Sequence, residues 1–351
     1  MNDLNMQPKV PANNVVAGFD KSKPVRAMLK QLGITDALQL DGVTEVAINR
    51  PGELWVEQKG VWRRIDAPHV TFDLCNKLAQ AMAVSVSNKS NQLSQNPICP
   101  VELPDGERGQ IVMPPASQKG TISLTIRKPS LQRFTLDDYE QTGRLSSYSV
   151  VEKQRDLFDW QKEMVMCVKN GDMRKFFRLA VFHKLNLVFG GGTGSGKTTF
   201  SKAIIDLYPT ARRYVTIENI HELQMPHHPN RVHLFFSDIL PAKTLVQSCM
   251  RMKPDHIFMA ELTGDETWDY LTALKTGHKG SLTTAHFGDC NSASARLTDM
   301  VKQSSVGLTL DYRDIYRTVE TQIDAYFYWE GSYLKEVLYQ PEEKLRLLNG
   351  E

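Results

Sequence analysis

Gly191–Thr199 reads GGTGSGKTT and fits the pattern G-x-x-x-x-G-K-[ST], with Gly191, Gly196, Lys197 and Thr198 in the fixed places. Glycines at that spacing let backbone N–H groups converge on phosphate oxygens. Lys197 would neutralise the outer phosphates, and the Thr198 hydroxyl would ligate Mg²⁺ carried by a nucleotide. The candidate nucleotide-binding residues are therefore Gly191, Gly192, Thr193, Gly194, Ser195, Gly196, Lys197, Thr198 and Thr199. The bland alternative is a glycine-rich turn without a ligand. The flanks argue against it. Leu185, Leu187, Val188 and Phe189 are apolar, as a buried strand requires, and Phe200, Ala203, Ile204 and Leu207 recur at helical spacing. A strand, a glycine loop and a helix N-terminus together make a phosphate cradle.

Two further stretches end apolar strands on an acid. Tyr214–Asn219 closes on Glu218, with Glu222 four residues on. His256–Glu261 places four apolar or small residues between a histidine and Glu261. A carboxylate at the C-terminal end of a parallel strand can order an attacking water or the magnesium shell. The alternative is a solvated strand-end acid. Gly277–His286 adds glycines, paired threonines and bracketing histidines. His286, at the strand end, is placed to sense a terminal phosphate, whereas His278 reads equally as structural. His227 and His228 lie between prolines and read as a loop, and no metal-ligand cluster stands out.

The elements that must position these residues fall into two domains, as 351 residues allow. Residues 1–20 read as a flexible polar tail. Residues 21–130 read as a smaller α+β domain, with a helix over Pro24–Leu40 and another over Phe72–Val84. In that domain Arg108, Gln110 and Val112 share the polar face of one strand, and Ser123, Thr125 and Arg127 that of another. The stripe Val25, Met28, Leu29 and Leu32 suits packing within that domain better than a membrane surface. Residues 131–151 read as a long linker. From 152 to 345 helices alternate with apolar strands, the signature of an α/β domain with a parallel-rich sheet. Ile323–Trp329 and Tyr333–Tyr339 flank Glu330–Ser332 as a hairpin.

Hydrophobic residues make up 41% and charged residues 23%, and the net charge is +2, a balance that does not suggest specific nucleic-acid binding. Five scattered cysteines without a CxxC pair suggest neither a disulfide framework nor a zinc site, and a reducing, cytoplasmic compartment fits best. No apolar run approaches the ~18 residues of a transmembrane helix, so membrane contact is expected to be peripheral.

The order GGTGSGKTT, TIEN, RMKPDHIFMAEL, TGHKGSLTTAH resembles the secretion-superfamily traffic ATPases, and among them the type IV secretion, conjugation-type branch. Thr44–Gly52, Gly106–Val112 and Thr121–Ser130 resemble the N-terminal domain of that branch. The resemblance implies a RecA-like P-loop domain behind a smaller α+β domain, a homo-hexamer, and ATP with Mg²⁺. It also implies inner-membrane partners in a type IV secretion or conjugation apparatus. It assigns Glu261, Glu218, Lys197 and His286 to catalysis. Arg108 and Arg127, which sequence alone reads as surface arginines, become phosphate contacts. The resemblance also places nucleotide between the two domains, puts Arg251 at a subunit interface, and suggests that the N-terminal domain lies over a neighbouring subunit. Asn219, Ala260 and Thr263 depart from the family's usual Asp, Gly and Arg. Two alternatives remain open here: a type II secretion or pilus motor, and a nucleotide-gated docking platform with little turnover. The four-cysteine module common in the former is absent.

Overall fold

Strand alternation builds two sheets, and the second carries every candidate catalytic residue. The computed structural model describes residues 20, 22–87, 93, 96–129, 133–150 and 153–350. The polar tail lies outside the described residues except for Asp20, as does part of the linker.

The N-terminal sheet is antiparallel. Its strands are β1 (Val43–Ile48), β2 (Gly52–Gln58), β3 (Val61–Ala67), β4 (Ile98–Glu102), β5 (Arg108–Val112) and β6 (Ser123–Arg127), in the order β3-β2-β1-β6-β5-β4. Helices Ser22–Gln31, Ile34–Gln39 and Phe72–Ser87 cover one face. Val25, Leu29 and Leu32 pack there with Val46, Ile111 and Ile126, so the amphipathic stripe serves its own domain. The single helix expected over Pro24–Leu40 is two helices, because Gly33 adopts φ 76°, a left-handed conformation that ends the first.

The opposite face corrects the sequence reading. Alternation marked it as polar and outward, yet Gln110, Ser123 and Thr125 are buried. Val112 and Ile98 join the same apolar cluster as Val215, Ile217 and Val232 of the second domain. This face is an interdomain contact, which single-sheet alternation cannot distinguish from a solvent face.

The second sheet contains β7 (Leu187–Gly191), β8 (Tyr214–Glu218), β9 (Arg231–Phe235), β10 (His256–Leu262), β11 (Leu282–Ala285), β12 (Ala325–Glu330) and β13 (Tyr333–Leu338). Its order is β13-β12-β7-β11-β10-β8-β9, parallel except for the β12–β13 hairpin. Both faces are buried. Leu187 and Phe189 enter one core with Phe177 and Phe327, while Val188 enters the other with Ile257 and Met259. The hairpin turns at Gly331 and Ser332, both with positive φ (54° and 67°), as a two-residue turn between twisted strands requires. Strand β9 (Arg-Val-His-Leu-Phe) lacks the continuous apolar run of β7 and β10, and its alternating His233 is buried all the same.

The free edge of β9 is covered from the N-terminal domain. Phe235 N–H donates to Ala116 O at 2.9 Å, and Gln118 N–H donates to His233 O at 3.3 Å. The linker stretch contains a short helix, Leu136–Gln141, started by a Thr135–Asp138 capping box and carrying no buried residue. Among the described residues, no helix is long and apolar enough to cross a membrane.

Candidate nucleotide site

Parallel strands deliver their C-terminal ends to one sheet edge, and β7, β10 and β11 bring the loop, Glu261 and His286 together there. Gly191, Gly194 and Gly196 all hold φ in the glycine-favoured range, at 143°, 74° and 91°. A Cβ on Gly191 would lie 2.2 Å from Trp329 O, so no other residue fits where the loop crosses the hairpin. Lys197–Ile205 starts directly at Gly196, which aims the helix N-terminus into the loop.

Lys197 is buried, and its Nζ donates to Gly191 O at 2.9 Å and Gly192 O at 2.8 Å. Burial pushes its ammonium below the ordinary lysine value, and Glu261 pulls it back up. The Ser195 hydroxyl is buried without a hydrogen-bond partner, an orphan that a phosphate oxygen would satisfy. Gly192, Thr193, Gly194 and Thr199 stay exposed, and Thr198 is half-buried. The loop therefore surrounds a buried, unpartnered hydroxyl with exposed residues and fits a phosphate chain.

His286 joins the two halves of the site. Its Nδ1 lies 2.9 Å from Gly191 O, and its Nε2 lies 2.7 Å from Glu261 Oε1. Both ring nitrogens thus face oxygen atoms, one from the loop and one from the acid. Glu261 and His286 are 37% and 45% exposed, open enough to meet a ligand. Thr284 Oγ1 donates to Ala260 O at 2.8 Å and locks β11 against β10. Thr263 stands where an arginine is usual. Glu266 accepts the Gly264 N–H at 2.9 Å and bonds the Thr263 backbone and hydroxyl, so local order there comes from a carboxylate cap.

Glu218 is placed differently from the sequence reading. It is fully buried and faces no open water. Its Oε2 accepts N–H groups from Glu222 at 2.8 Å and Leu223 at 2.6 Å, and its Oε1 accepts from Thr216 Oγ1 at 2.7 Å. Burial pushes the Glu218 carboxyl up, but its hydrogen bonds with His233, Leu223, Thr216 and Glu222 outweigh that and hold it below the ordinary value. Its role here is to clamp the turn after β8. Glu222 is exposed. His278 and His256 sit at the opposite sheet edge, bonded to Pro254 O and Gly280 O, and are structural.

Arg108 and Arg127 also lie away from their own loop. They face each other across β5 and β6, and Arg127 lies 3.6 Å from Glu45. Glu45 in turn lies 3.7 Å from Lys253, just before β10 begins. Glu261 stands five residues beyond the start of β10 at His256, a rise of about 17 Å. Arg127 thus lies towards the Lys253 end of β10, away from Glu261 at that strand's other end. Arg251 is exposed. Sequence reasoning missed Ser195's orphan hydroxyl and the complete burial of Arg213, which bonds Asn49 and Thr125 of the N-terminal domain and which nothing in a charged residue's identity signals.

A glycine loop at a helix start, an acid-ended strand one place removed in the sheet and a parallel two-faced sheet define a P-loop nucleotide-binding domain. Residues 150–322 match the family described as "Type II/IV secretion system protein". The chain is 38% identical over 320 residues to the type IV secretion system protein VirB11 of Brucella suis, covering 87% of this chain and 88% of that protein. It is 32% identical over 361 residues to VirB11 of Bartonella quintana, covering 97% and 98%. A crystal structure of the Brucella suis VirB11 ATPase in complex with sulphate superposes with a TM-score of 0.85 at 38% identity, covering 92% of this chain and 99% of that one. The chain belongs to the VirB11 family of type IV secretion system ATPases.

Proposed function

We propose that this protein hydrolyses ATP·Mg²⁺ at Gly191–Thr199 and, as a ring of six, powers substrate transfer or pilus assembly by a type IV secretion or conjugation machine. The observation that carries the reading is His286, which touches both the loop at Gly191 and the Glu261 carboxylate. Lys197 would exchange its two loop carbonyls for phosphate oxygens, Thr198 would hold Mg²⁺, and Glu261 would order the attacking water. His286 would then register whether the terminal phosphate is present. A loop of this shape suits a tetrahedral anion, and the Brucella suis relative is described in complex with sulphate.

Arg108 and Arg127, a strand's length from their own loop, are suited to the nucleotide of a neighbouring subunit. The partners would be copies of this chain and inner-membrane components of the apparatus, and the location cytoplasmic and peripheral to that membrane. Phosphate release tests the site directly. Lys197→Ala and Glu261→Gln should each lower turnover about 100-fold or more, and wild-type turnover in both would refute the assignment. Mixing inactive Arg127→Ala with inactive Lys197→Ala protein tests the trans arrangement. Restored turnover supports it, and none supports contacts within one subunit.

A further inference from the structure

The corner between β8 and β9 holds a cluster that the nucleotide mechanism does not use. Glu218, His221 and His233 each offer a ligand atom, and these atoms lie within 4.8 Å of one another. We propose that they form a binding site for a divalent transition ion of the zinc type, separate from the nucleotide's magnesium.

Three observations carry this. Glu218 is a fully buried carboxylate, and among the described residues its only ion-pair partner is His233, with no lysine or arginine beside it. Buried charges are ordinarily paired or coordinate metals. His221 Nε2 is buried and has no hydrogen-bond partner, so a lone nitrogen sits in the cluster unsatisfied. The ring of His221 lies 4.4 Å from that of His233, tilted by 47°, and meets Phe235 edge-on at 5.6 Å, which holds it beside the other donors. Thr216 supplies support behind the donors: its Oγ1 lies 2.7 Å from Glu218 Oε1 and 2.8 Å from His233 Nδ1. Two imidazoles and one carboxylate suit zinc, copper or nickel, whereas magnesium prefers oxygen ligands alone. Ligands about 2.0–2.2 Å from a tetrahedral ion lie about 3.3–3.6 Å apart, so the three donors would draw together from within 4.8 Å as the ion binds.

Such an ion would join the turn after β8 to β9. The His233 carbonyl also accepts the Gln118 N–H from the N-terminal domain, so the same ion would stiffen the strip where the two domains meet.

The test uses the full chain, stripped with a chelator and titrated with Co²⁺ and then Zn²⁺. One Co²⁺ per chain should bind with visible d–d bands and no thiolate charge-transfer band, since no cysteine is among the three donors. Zn²⁺ should displace it and raise the melting temperature. His221→Phe keeps an aromatic ring against His233 and Phe235 and should weaken Zn²⁺ binding at least tenfold, with His221→Gln as a second variant should the first fail to fold. His286→Ala should leave it unchanged. Thiolate bands, binding that survives in both His221 variants, or binding lost only with His286→Ala would each overturn the proposal. None of these readouts depends on ATP turnover.

Discussion

The two edges of the seven-stranded sheet use the same residue types to opposite ends. At the N-terminal edge, the fully buried Arg213 donates to Asn49 and Asn230 at 2.8 Å each, to Thr125 at 3.2 Å and to Met252 O at 2.9 Å. Its guanidinium also lies 4.9 Å from the Trp62 ring centroid. Asn49, Thr125 and Trp62 come from the N-terminal domain, so one cation ties both domains together. At the C-terminal edge, Lys197 holds only its own loop's carbonyls, Ser195 has no partner, and Glu261 and His286 remain partly exposed. A charge whose bonds are all made by protein is a joint. A charge left with unmade bonds at a cleft is a site.

Breaking the joint should have the largest effect. Arg213→Ala orphans acceptors in both domains and should cost about 3 kcal/mol in urea unfolding, while folded protein keeps its nucleotide affinity. Comparable loss of affinity at native stability would erase the distinction between the edges. His286→Ala should do the reverse, lowering phosphate release roughly 10- to 100-fold with little change in melting temperature.

A pH series sharpens the contrast further. Burial first, and the neighbouring Glu57 less so, raise the Glu45 carboxyl from 4.5 to about 7 against the pull of Lys253, Arg127 and Arg213. The native state therefore holds a proton that the unfolded chain releases, and Glu45 makes stability fall as pH rises from 4.5 to 7. Glu45→Gln should remove that part of the slope, measured as the difference in unfolding free energy between variant and parent. An unchanged slope would mean that burial does not hold Glu45 protonated in the native state. The smallest effect belongs to Ser195→Ala. Deleting an unpartnered hydroxyl should shift stability by less than about 1 kcal/mol yet weaken nucleotide binding, read by fluorescent-nucleotide titration.

Legibility followed the same division. The loop, the acid at Glu261 and the β7 and β10 strands were readable because their chemistry is local: glycine dihedrals, apolar runs and a strand-end carboxylate. The joint was not. Arg213 looks like any charged residue before a strand, and its burial depends on Asn49 and Thr125, which are far away in the chain. Glu218 matched the pattern of Glu261, but the N–H groups of Glu222 and Leu223 turn back onto it and close it off. Val112 obeyed alternation and still faced a core, because the second domain covers that face.

The most direct measurement is Mg·ATP turnover beside nucleotide affinity in Glu261→Gln. The C-terminal edge as a hydrolytic site predicts phosphate release reduced about 100-fold or more, with affinity within a few-fold of the parent. Turnover equal to the parent at saturating nucleotide would contradict it and leave Glu261 as one more solvated strand-end acid.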